Sequence, residues 1–147
     1  DAVISNLGKT PKLFQVVSYA GAGALQLPSY KRKKPAEKKL VGVDLFVHWT
    51  GSDPNELAQK IKTIETKEAS LSMITNRGIK VWPDGFSETF CTDHWRCRFK
   101  ASAYDELTKE TIVSLLTNAI GASIDTIKTE NLYEFDGIPR FSVGQGQ

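Results

Sequence analysis

Residues 40–49 read LVGVDLFVHW, and the fold turns on how this run is read. Val41, Val43, Leu45, Val47 and Trp49 fall at every second position, which places them on one face of an extended chain. The run is a half-buried strand. Directly after it, Asp53-Pro54-Asn55-Glu56 opens a helix. The aspartate can accept from free backbone N–H groups, proline suits the first helical position, and Glu56 stands where a capping box needs its acid. Leu57, Ala58, Ile61 and Ile64 form the apolar stripe of that helix.

Working outward, ASLSMIT (69–75) reads as the next strand, and Asn76-Arg77-Gly78 as a turn in which Gly or Asn can take positive φ. IKVW (79–82) returns from it, and Pro83-Asp84-Gly85 is a second turn signal. DHWRCRFK (93–100) is a longer strand. A helix is expected from about Asp105 to Ile120, its apolar face made by Leu107, Ile112, Leu115, Leu116, Ala119 and Ile120, with Gly121 as C-cap. SIDTIKTENLYEF (123–135) is the last strand and DGIPRFSVGQGQ (136–147) an extended tail. The order predicts an α+β fold: a β-α-β-β-α-β split-βαβ (ferredoxin-like) sandwich, an antiparallel sheet with two helices on one face. Its other face must then be solvated or covered by a partner.

The first forty residues differ in character. DAVISNLGK resembles a helix tail with Gly8 as C-cap, LFQVVSY (13–19) a short strand, and residues 20–39 a linker. The linker ends in KRKKPAEKK, six basic residues among nine. Apart from Tyr30 at its edge, that run has no interleaved aromatics for base stacking, so no nucleic-acid partner is expected. A net charge of +2 is too small to imply one. No apolar run approaches the roughly 20 residues that cross a bilayer, so no membrane role is expected either. The two cysteines lie about 20 Å apart if the chain between them is extended, too far to bond, which fits a reducing cytoplasm. An initial aspartate in place of methionine points to an excised or processed piece.

The chemistry-bearing residues cluster in 91–100. Cys91, His94 and Cys97, with His48, could suggest a metal, but strand alternation turns His94 away from both cysteines, and none is expected. Cys97 between Trp95 and Phe99 reads as a small core residue. No catalytic, cofactor-binding or metal-binding residues are identified. On the opposite face, His94, Arg96, Arg98 and Lys100 make a cationic ridge. It is a solvated or charge-protected strand face, an anion platform, or a surface that docks on an acidic partner. These alternatives stay open.

NLGKTPK, VGVDLFV, SMITNRGIKVWP, DHWRCRF and LYEFDGIPRFSVGQGQ, in that order, resemble the C-terminal end of bacterial NADP-dependent isocitrate dehydrogenase, of the class with an extra domain after the dehydrogenase fold. The resemblance implies that residues 1–39 are the end of the preceding domain plus a flexible basic linker, and 40–147 a C-terminal α+β domain. It implies a parent enzyme that oxidises and decarboxylates isocitrate to 2-oxoglutarate with NADP and magnesium or manganese. The parent's catalytic and cofactor residues have no matching position here, so the chain is expected to serve assembly or regulation in a cytoplasmic enzyme. Its expected partners are its own catalytic domain and other subunits of a homo-oligomer. The element order is also similar to ACT-type ligand-binding modules, which makes a small-anion effector site the alternative, although fold alone does not establish function.

Overall fold

The computed structural model describes residues 1–17, 23, 27–86, 88–102 and 106–143 of the chain. The chain divides into two compact units, Asp1–Lys34 and Pro35–Gln147. In the first, a 3-10 turn (Ile4–Asn6) is followed by Gly8 at φ +80°. The strand expected over 13–19 is not formed by its described part, 13–17, where Leu13 and Phe14 stand exposed. No strand of that unit lies alongside them among the described residues, and an isolated strand has no ladder to satisfy its backbone groups. The rest of that expected strand, and most of 18–26, lies outside the described residues.

The second unit runs β1 (Lys38–His48), α1 (Pro54–Lys62), β2 (Ala69–Asn76), β3 (Ile79–Trp82), β4 (His94–Ala101), α2 (Lys109–Gly121), β5 (Asp125–Phe135) and β6 (Ile138–Pro139). The strands form one sheet in the order β3-β2-β4-β1-β5-β6, and every neighbouring pair is antiparallel. Since β1 and β2 both run antiparallel to the β4 between them, α1 crosses over β4. By the same logic α2 crosses over β1. This is the split-βαβ arrangement that the element order predicts.

Both helices pack on one sheet face. Leu57, Ala58 and Ile61 of α1 and Ile112, Leu115 and Ala119 of α2 share a core with Val43, Leu45 and Val47 of β1 and Trp95, Cys97 and Phe99 of β4. Each large apolar side chain so buried contributes about 1.5–3 kcal/mol. The cap of α1 forms as its sequence requires, Asp53 accepting from the N–H of Asn55 at 2.9 Å. Ile64 lies past the helix end and is buried there too.

Several boundaries differ from the sequence reading. β1 starts at Lys38, so two lysines read as linker belong to the sheet. A β-bulge at Val41 against β5 turns Leu40 rather than Val41 into the core. Asp105 lies outside the described residues; α2 itself begins at Lys109, where Thr108 accepts from the N–H of Thr111 at 3.2 Å. Leu107 is buried ahead of the helix, its N–H donating to the Leu40 carbonyl. Ile120 is 79% exposed, because its position turns off the face held by Leu115 and Ala119. Gly121 is the last helical residue, and Ser123 takes the left-handed conformation two residues later. The tail is folded in its described part: Asp136-Gly137 makes a turn with both residues at positive φ, and β6 pairs back on β5. Residues 144–147 lie outside the described residues.

Candidate functional site

The helix-free sheet face carries the polar chemistry. Alternation on β4 holds as expected: Trp95, Cys97 and Phe99 are fully buried on the helix side, while Arg96 and Arg98 take the other. Burial pushes the Cys97 thiol well above the ordinary range, and the nearby Asp44 carboxylate pushes it further in the same direction. Burial also raises the Cys91 thiol, with Arg77 opposing. Cys91 Sγ lies 3.5 Å from the Thr89 carbonyl oxygen. His94 stands exposed, its ring stacked on Phe46 at 5.5 Å. It is the register partner of His48, whose Nδ1 lies 3.5 Å from Asp125 Oδ2. Among the described residues no group of three or more His, Cys, Asp or Glu side chains comes together in a way that could hold a metal ion.

The four ridge residues do different things. Arg98 is 1% exposed and faces Asp44 directly across the β1–β4 ladder. Its Nε and Nη2 donate to Asp44 Oδ1 and Oδ2 at 2.7 and 2.8 Å, a two-pronged pair. Nη1 donates to the Ser142 carbonyl at 2.8 Å, and the Phe141 ring lies 5.2 Å from the guanidinium carbon. The tail therefore covers this pair. Arg96 donates from Nε to Thr75 Oγ1 at 2.8 Å, with Asp44 Oδ2 at 3.8 Å, and its side chain is 19% exposed. Lys100 is half-buried at the other end of β4, opposite Gly42 of β1 and Ser70 of β2.

Two shallow hollows flank Arg96 on this face. One, about 140 Å³, lies over the Asp44–Arg98 pair beside Phe141 and Arg140. The other, about 160 Å³, lies between Arg96, His94, Thr75, Phe46 and the Arg77-Gly78 turn. A wider cleft of about 470 Å³ lies elsewhere, between the start of α1 and the loop after β3. Sequence reasoning missed Asp44, Thr75 and Arg77. For Asp44 there was a signal, a lone carboxylate inside an otherwise apolar run. For the other two, only strand pairing brings them beside Arg96.

These features define a split-βαβ domain whose helix-free face is a fixed ionic network, partly covered by its own C-terminal tail. The family model for the bacterial isocitrate dehydrogenase C-terminal domain matches residues 38–147, and the chain belongs to that family. The chain is 34% identical over its whole length to isocitrate dehydrogenase [NADP] of Rickettsia bellii, of which it covers 31%. It is likewise 34% identical to the enzyme of that name from Thermus thermophilus, covering 30% of it. The crystal structure of the TT0538 protein, also from Thermus thermophilus, superposes with a TM-score of 0.70 at 31% identity, over 99% of this chain and 30% of that one. The chain thus spans about a third of the length of these relatives.

Proposed function

We propose that this chain is the accessory C-terminal part of a cytoplasmic NADP-dependent isocitrate dehydrogenase and that it serves subunit assembly. The chemistry, oxidation and decarboxylation of isocitrate to 2-oxoglutarate with NADP and magnesium or manganese, belongs in this reading to the rest of the parent. The observation that carries the assembly role is the outer edge of β5. Strand β5 covers Asp125–Phe135, yet β6 pairs only with Glu134 and Phe135. Most of that edge has no strand beside it among the described residues, and such an edge is a template for another chain.

The edge is also self-complementary. Lys128 and Glu130 are register partners of Phe46 and Asp44 on β1, so they share a sheet face. In an antiparallel pairing of two copies centred on Thr129, Lys128 of each copy opposes Glu130 of the other. Registers shifted by two residues would oppose Lys128 to Lys128 or Glu130 to Glu130, which is destabilising. Charge therefore selects one register. Sedimentation of the chain over a wide concentration range tests this. Self-association is expected, weakened by Lys128→Glu or Glu130→Lys alone and restored by the double exchange. A strictly monomeric profile, or no rescue by the double exchange, would refute the β5 surface.

A further inference from the structure

We infer that the hollow between Arg77 and Arg96 is a binding site for a small multivalent anion of carboxylate or phosphate chemistry. Arg77 of the β2–β3 turn and His94 and Arg96 of β4 line it. Arg96 is held in place by Thr75 Oγ1 at 2.8 Å through Nε. Among the described residues its two Nη nitrogens have no hydrogen-bond partner, so a fixed pair of donors remains for a ligand. A planar, pre-oriented guanidinium suits oxyanion recognition. The nearest carboxylate, Asp44, already receives both prongs of Arg98. It therefore does not neutralise the hollow.

The second observation is backbone conformation. Arg77 sits at φ 52° and Gly78 at φ 83°, the two central positions of the tight turn between β2 and β3. Asn or Gly fills the first of these at least cost, and a long side chain in the left-handed region costs roughly 1–2 kcal/mol. Local turn chemistry gives no reason for arginine here. The guanidinium carbon lies 5.6 Å from the centre of the Phe90 ring, a cation–π contact. Lys128 Nζ, 4.2 Å from the Phe46 ring, adds a further positive charge near the Phe46 wall.

The hollow, about 160 Å³ and open to solvent, accommodates phosphate or a short di- or tricarboxylate. The site does not depend on self-association or on the parent's activity, so it can stand or fall apart from the assembly role.

The test is calorimetry and thermal unfolding of the chain with citrate, succinate and inorganic phosphate, at ionic strength held constant with sodium chloride. Saturable binding of at least one is expected, with the profile distinguishing a carboxylate site from a phosphate site. Arg96→Gln should weaken it tenfold or more, and Arg140→Gln, on the neighbouring hollow, should not. Arg77→Asn separates binding from folding: it should raise the melting temperature of the ligand-free chain while weakening binding tenfold or more. No heat with any of the three anions, an equal shift with chloride alone, or full affinity in Arg77→Asn would overturn the inference.

Discussion

The buried pair of Asp44 and Arg98 makes the sharpest demand on stability. Replacing Asp44 by Asn keeps the shape but leaves the Arg98 cation buried, with Arg96 close beside it. Removing one partner of a buried ion pair costs about 3–5 kcal/mol, a large share of the ~5–15 kcal/mol that holds a domain together. With a urea slope of ~2 kcal/mol/M, the unfolding midpoint should fall by roughly 1.5–2.5 M. Arg98→Met should cost less, toward ~3 kcal/mol, because Arg96 Nε lies 3.8 Å from Asp44 Oδ2 and can partly compensate the stranded carboxylate. The double change Asp44→Leu with Arg98→Met should recover most of the loss, since an apolar pair of similar volume avoids desolvating two charges. Ser142 then loses its donor, and water can replace it at the tail. Urea unfolding of the parent chain and the three variants, followed by tryptophan fluorescence, measures these differences. An Asp44→Asn midpoint within ~0.5 M of the parent chain, or a double variant as unstable as Asp44→Asn, would refute this account of the pair.

Other expectations follow from single contacts. Gly42→Ala places a methyl carbon 2.6 Å from the backbone oxygen of Phe99, which cannot retreat within the ladder; a loss of ~1–3 kcal/mol in urea unfolding is expected. A thiol reagent should reach Cys91 in the folded chain, more slowly than a free thiol since burial raises it, and Cys97 only after denaturation. Two thiols reacting at equal rates under native conditions would contradict the buried position of Cys97. Tyr133 should ionise below the usual tyrosine range, chiefly because Lys109 Nζ donates to its hydroxyl oxygen at 2.9 Å. A lowered folded value means any added stability from its ionisation appears only as pH rises through that value, and is absent at neutral pH. Ultraviolet titration should show the shift shrink in Lys109→Met.

Much of the fold was written in local pattern. Period-two alternation in 40–49 and 93–100, the Asp-Pro start of α1 and the apolar spacing of α2 each depend on residues within a few positions of one another. The sheet and its two helices could therefore be read from the chain. Where the reading slipped, a partner strand had intervened. The bulge at Val41 exists only against β5, and it exchanged Val41 for Leu40 in the core. The Asp136-Gly137 turn had a plain signal, yet β6 needed β5 to pair with.

The polar face divides the same way. Sequence alone set His94, Arg96, Arg98 and Lys100 on one side of β4 and Trp95, Cys97 and Phe99 on the other, because side chains alternate along any strand. It could not say that Arg98 is sealed against Asp44, fifty-four positions away, and roofed by the tail, while Arg96 is tied to Thr75 through Nε and lines a hollow. Those facts depend on which strands lie side by side and in what register. Burial and pairing are properties of that assembly, and they turned four similar basic residues into one structural pair, one candidate ligand donor and two flanking groups.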